Sequence, residues 1–120
     1  MKPKIEHTEF GSITGEGEAF DHDIVIRLNG EVIKRKKKLS KQIYGTSHIV
    51  SLDEAEFIFE KGINHLVVGS GQSGILRLSD EAQAFFDDKN VKVALFATPK
   101  AIQFWNEIDH PVVGLFHVTC

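Results

Sequence analysis

Two β-prone runs, Asp23-Ile24-Val25-Ile26-Arg27-Leu28 and Glu31-Val32-Ile33-Lys34, flank Asn29-Gly30. That pattern predicts a hairpin closed by a two-residue type I′ turn, because Asn and Gly both tolerate positive φ. Upstream, Gly11, Gly15 and Gly17 interrupt the apolar positions around Ile13, which predicts short strands joined by tight turns. From residue 51 the period changes. Ser51-Leu52-Asp53-Glu54 has the form of a capping box, in which Ser51 accepts the Glu54 amide while the Glu54 carboxylate reaches back. A helix is expected from there to about Lys61, with Gly62 as its left-handed stop, followed by a buried strand over Ile63 to Val68. Ser79-Asp80-Glu81 starts a second helix whose Ala82, Phe85 and Phe86 share one face, and Asn90 ends it. Val91 to Ala97 reads as the next strand. Thr98-Pro99 then opens a third helix with Thr98 as cap and Ala101, Trp105 and Ile108 as the inner stripe. Pro111 precedes a last strand, Val112 to Val118.

The C-terminal part therefore alternates helix and strand, which predicts three parallel strands, while the N-terminal part is hairpin-like and antiparallel. The whole reads as one α/β domain over residues 1–120, a helix-flanked sheet with a small β subsheet attached.

Composition agrees with a folded globular chain: 120 residues, 42% hydrophobic and 26% charged, with nine Phe to fill the interior. No apolar run nears the roughly 20 residues that span a bilayer, and Met1-Lys2-Pro3-Lys4 does not lead into a signal-peptide apolar region, so a cytoplasmic location away from membranes is expected. The single cysteine, Cys120, excludes an intramolecular disulfide and a multi-cysteine zinc site. The formal charge of −3 hides a cluster, Lys34 to Lys38 with Lys41, that holds six of the 14 basic residues. It lacks interleaved aromatics and belongs to a net negative chain, so it predicts a solvated hairpin edge and not a nucleic-acid surface.

Gly69-Ser70-Gly71-Gln72-Ser73-Gly74 follows Leu66-Val67-Val68 and spells G-x-G-x-x-G at the end of a strand. A dinucleotide fold also needs an acidic residue about 20 positions later for the ribose hydroxyls. From Lys89 through Asn106 there is no Asp or Glu, and no Gly-Lys-Ser/Thr completes a Walker loop. No nucleotide and no other cofactor is therefore expected. What remains is a tight turn, or a crevice in which the loop amides, the helix start at Thr98 and Lys100 hold a small anion. His117-Val118-Thr119-Cys120 brings imidazole and thiol close in sequence, though residues 117 and 120 of one strand face opposite ways. His48 lies among hydroxyls and is within reach of Asp53 or Glu54. The histidines at 7, 22, 65 and 110 show no metal-ligand spacing.

Tyr44-Gly45-Thr46-Ser47-His48, Val68-Gly69-Ser70-Gly71 with Gly74, Thr98 with Ala101 and Asn106, and His117-Val118-Thr119-Cys120 stand in an order and spacing that resembles the Mth-domain family. These are small domains of unestablished function that include an adipogenesis-associated protein and a mitochondrial complex I assembly factor. The resemblance covers nearly the whole chain from Phe10-Gly11-Ser12. It implies a three-layer α/β fold with a central mixed sheet, flanking helices and an added antiparallel hairpin subsheet, with one C-terminal strand antiparallel. It supplies no catalytic residues. The matching positions define a candidate pocket of His48, Gly69, Ser70, Gly71 and Thr98, with Arg35 close in the pattern.

Two functions follow as expectations. One is a cytosolic binding or assembly-helper domain that engages a protein partner or a small anionic metabolite, a second copy of the chain being a further partner. The other is a small enzyme in which His48 or His117 is the acid/base and the loop amides hold an anionic substrate.

Overall fold

The computed structural model describes residues 2–120. Its centre is a five-stranded mixed sheet formed by β4 (Ile24–Ile26), β5 (Val32–Lys34), β7 (His65–Ser70), β9 (Lys92–Phe96) and β10 (Val112–His117), in the order β5-β4-β10-β7-β9. β7, β9 and β10 are mutually parallel, whereas β4 and β5 are antiparallel to their neighbours. The residue pattern thus placed the three C-terminal strands correctly. The antiparallel C-terminal strand implied by family resemblance is absent, and the antiparallel members come instead from the N-terminal hairpin.

Period-two alternation divides the core. Val25, Leu66, Val68, Val113 and Leu115 point to one face, where they meet α2 (Leu52–Ile58) and α3 (Asp80–Asp88) through Ala55, Ile58, Ala82 and Phe86. Ile24, Ile26, Val67, Val112 and Phe116 point to the other, against Ala101, Ile102 and Trp105 of α4 (Thr98–Glu107) and against Ile5 and Ile13. Ile5 and Ile13 belong to a separate antiparallel sheet, β1 (Ile5–Glu9), β2 (Ser12–Gly15) and β3 (Glu18–Phe20). The result is the three-layer arrangement with an N-terminal antiparallel subsheet. Three elements escape the hydrophobic pattern: the lysine-containing helix α1 (Lys38–Tyr44), and a pair of two-residue parallel strands, β6 (Ile49–Val50) and β8 (Arg77–Leu78).

Several local expectations change. The β4–β5 hairpin closes through residues 28–30 and not through a two-residue turn: the Gly30 amide bonds Arg27 O and the Arg27 amide bonds Glu31 O. Asn29 does not take positive φ, and only Gly30 (φ +91°) does, which is the three-residue loop with a glycine bulge. α2 ends at Ile58, short of Lys61, because Phe59 turns to extended backbone. Gly62 is left-handed but belongs to the turn that follows. The next strand begins at His65 and runs on through Gly69 and Ser70. α3 starts afresh behind Ser79, whose hydroxyl accepts the Ala82 amide, so no helix begins at the glycine loop. No helix of the described residues is long and apolar enough to cross a membrane.

Candidate functional site

The parallel strands β7 and β10 end side by side, with Ser70 opposite His117. At that end a buried polar cluster grows out of four separate segments. Asp23, just before β4, accepts Arg35 Nη1 at 2.8 Å and contacts His117 Nδ1 at 2.8 Å through the same oxygen, while its other oxygen takes the Val118 amide at 2.9 Å. Arg35 also grips Glu54 with Nε at 2.6 Å and Nη2 at 3.0 Å, and it donates to Ser47 O. Ser40 Oγ donates to Glu54 at 2.5 Å and accepts the Ser51 amide. Arg35, Glu54, Ser40 and His117 are all buried.

The cluster corrects two expectations. Ser51 does cap α2 by accepting the Glu54 amide at 3.1 Å. The Glu54 carboxylate, however, turns inward to Arg35 and does not reach back, so only half of the capping box forms. Arg35 is likewise no part of a solvated lysine edge, because its guanidinium closes the gap between Asp23 and Glu54. Burial alone would raise the Asp23 pKa, but hydrogen bonds from His117, the Val118 amide and Arg35 outweigh it and hold that group at about 2. Burial would also lower Arg35, and the bonds to Glu54 and Asp23 reverse that, raising its pKa.

His117 fixes the rest of the site. An ionised Asp23 can only accept, so in the neutral imidazole the proton sits on Nδ1 and Nε2 is left as an acceptor. Thr119 Oγ1 lies 3.2 Å from that Nε2 and donates to it. The His48 ring stands edge-on to His117 with centroids 5.4 Å apart. His48 therefore meets an imidazole, where Asp53 and Glu54 were the expected partners.

The glycine loop closes over the same end. Its donors face the tail of the chain: the Gln72 amide bonds Thr119 O at 2.7 Å, the Ser73 and Ile75 amides each bond Cys120 O at 3.3 Å, and the Gly71 amide bonds Thr98 Oγ1 at 2.9 Å. Thr98 in turn donates to His117 O at 2.6 Å. Thr98 is thus the first residue of α4, with Ala97 as its N-cap, and its hydroxyl ties the loop to β10 where a helix cap was expected. Gly71 has φ +101°, and a Cβ there would lie 2.3 Å from the Cys120 backbone and 2.8 Å from the His117 ring, so the loop packs against the tail only without a side chain. At Gly69 a Cβ would meet Thr98 Oγ1 and Phe116 at 2.9 Å.

Of the residues singled out from sequence, His48, His117, Ser70, Gly69, Gly71, Thr98 and Arg35 converge on this end of the sheet. Ser70 Oγ donates to Phe96 O, and Lys100 packs its ammonium 5.1 Å over the Phe96 ring with no hydrogen bond to the loop. Asp23, Ser40 and Thr119 were missed, and Glu54 was named only as a partner for His48. Asp23 lay beside His22 in plain view, but nothing local tells a buried acid from a turn acid. Among the described residues no cluster of three metal-ligating side chains occurs.

Comparison with known proteins adds the relationship. The model of a family described as "Protein of unknown function (DUF498/DUF598)" matches residues 5–115. The chain is similar to the crystal structure of a conserved hypothetical protein from Pyrococcus horikoshii, at 34% identity, TM-score 0.92, and coverage of 98% of this chain and 99% of that one. It is also similar to a protein named MT938, at 30% identity and TM-score 0.83, covering 99% and 100%. A Mth938-like domain of a Bordetella pertussis protein shares the fold at 18% identity and TM-score 0.62, covering 97% and 85%.

Proposed function

The chain belongs to the DUF498/DUF598 family of unknown function, the Mth938-like group, and from that premise we propose that it is a binding domain whose contact face is the end of the sheet where β7 and β10 stop. One observation carries this reading. Phe10, Tyr44 and Ile75 are apolar or aromatic side chains left exposed, Phe10 at 69%, and they come from three segments tied to the same end. Phe10 precedes Gly11, whose amide bonds Val118 O; Ile75 bonds Cys120 O; Tyr44 closes α1, just before the His48 segment that pairs with Arg77. In the cluster beneath, as among the described residues generally, every buried side-chain nitrogen and oxygen has a partner. That combination suits recognition of a protein segment with apolar side chains, as an assembly helper would perform. A small anion would have to displace the Thr119 and Cys120 carbonyls from the loop amides.

A photo-crosslinking residue at position 75, with a second at exposed Leu95 as control, tests the reading. Crosslinks to one defined protein from position 75 only are expected; equal yields from both positions contradict it. Phosphate titration followed by amide NMR reports the anion alternative, through saturable shifts confined to residues 70–76.

A second reading, an enzyme with His117 as acid/base, is supported by a separate observation: the Asp23 contact orients the ring and leaves Nε2 as an acceptor facing the Thr119 hydroxyl.

A further inference from the structure

We propose that Thr119 is a nucleophile for acyl transfer, with His117 as its general base, Asp23 as the positioning residue and a carboxylic ester as the class of substrate; this rests on the reading of His117 as acid/base. Three contacts assemble the relay. Asp23 Oδ2 lies 2.8 Å from His117 Nδ1, His117 Nε2 lies 3.2 Å from Thr119 Oγ1, and the Asp23 carboxylate is itself held by Arg35 and the Val118 amide. That is the order of roles in a hydroxyl–imidazole–carboxylate triad, which is recognised by geometry and not by position in the chain. Thr119 is partly exposed while His117 and Asp23 are buried, so the hydroxyl is the member that meets substrate.

The glycine loop supplies the remaining part. The Ser73 and Ile75 amides both point at Cys120 O, each over a long 3.3 Å. Two amides converging on one oxygen next to the nucleophile form an acceptor site of the kind that stabilises an oxyanion. In this structure Cys120 O fills that site, so an acyl oxygen has to displace it. Ile75, whose amide bonds Cys120 O, and Phe10, next to the Gly11 amide on Val118 O, are exposed apolar side chains on the segments tied to the tail.

The chemistry balances with water as the only co-reactant. Thr119 Oγ1 attacks the ester carbonyl carbon, the new C–O bond forms, and the hydroxyl proton passes to His117 Nε2. The tetrahedral intermediate collapses by breaking the bond to the alcohol oxygen, which leaves with the proton from His117. Water then attacks the acyl carbon of the threonyl ester and gives a proton to His117; the second tetrahedral intermediate breaks its bond to Thr119 Oγ1, which takes that proton back from His117, and the carboxylic acid leaves.

The test uses the full chain, as a Cys120→Ser variant that removes the neighbouring thiol, treated with p-nitrophenyl acetate. Release of p-nitrophenol is followed together with peptide mass spectrometry. The expected result is one acetyl group at Thr119, with His117→Gln slowing its formation at least about 100-fold, the lower range of general-base effects. Thr119→Val, nearly isosteric and at a partly exposed position, abolishes the adduct, and Thr119→Ser restores it. Ester hydrolysis that persists in Thr119→Val but falls in His117→Gln overturns the nucleophile while keeping His117 as the base. Hydrolysis equal to that of His117→Gln in the unsubstituted background overturns both.

Discussion

Arg35→Met removes the one cation that two buried carboxylates share. Its guanidinium makes two bonds to Glu54 and one to Asp23, and the Arg35 and Glu54 side chains have no exposed surface. Breaking a buried ion pair from one side typically costs about 3–5 kcal/mol, because the remaining charge stays desolvated. Asp23 keeps His117 and the Val118 amide, so Glu54 bears most of that loss. With a urea dependence of about 2 kcal/mol per molar, the unfolding midpoint should fall by on the order of 2 M. The double variant Arg35→Met/Glu54→Met removes both charges and should recover more than half of the loss. Arg27→Met, at the partly exposed pair with Glu60 (2.9 Å), should cost only about 1 kcal/mol or less. Urea titrations at neutral pH, followed by tryptophan fluorescence of buried Trp105, give all three values. A loss below about 1 kcal/mol for Arg35→Met, equal to that of Arg27→Met, would refute the argument.

Gly71→Ala places a Cβ against the Cys120 backbone at a left-handed φ and should destabilise by about 2 kcal/mol or more, whereas Gly11→Ala, with open space around it at φ +88°, should lose only about 1 kcal/mol; thermal melts compare them. Thr98→Val leaves the buried Gly71 amide and His117 carbonyl without their partner, so a loss of about 2–4 kcal/mol and faster hydrogen exchange at Gly71 are expected. The Asp23 pKa is depressed, so its contribution is fully present above the unfolded value near 3.8 and is lost as pH falls through about 2. That amounts to roughly 2 kcal/mol, and Asp23→Asn should remove this part of the acid dependence of stability in urea titrations between pH 5 and 2.

Much of the fold was legible because it depends on local periods. Ser51 and Ser79 signalled helix starts through a hydroxyl that accepts an amide three residues on, and the apolar runs around β7 and β10 marked two strands of the central sheet. The site was legible only where a residue's role was also local. Glu54 has the same neighbours in sequence whether it reaches back to Ser51 or inward to Arg35, and the partner that decides is 19 residues away. Arg35 sits in a run of lysines and carries no mark of its burial. The glycine loop was read as a source of amide donors for a small anion, but the acceptors its amides meet are Thr98 and the tail at residues 119–120, which no spacing rule connects to Gly71. The helix α1 has one apolar pair at helical spacing, Leu39 and Ile43, but Ile43 is exposed and the residue it buries is Ser40, so its pattern does not announce how it packs.

The account turns on His117 as the hub between the buried acid and the exposed end of the sheet. Multiple-bond proton–nitrogen NMR of the ring, at about pH 8 and above the usual histidine range, reads its tautomer directly. The geometry predicts a proton on Nδ1, hydrogen-bonded to Asp23, with Nε2 bare towards Thr119. A proton on Nε2, or a ring unchanged by Asp23→Asn, would contradict it.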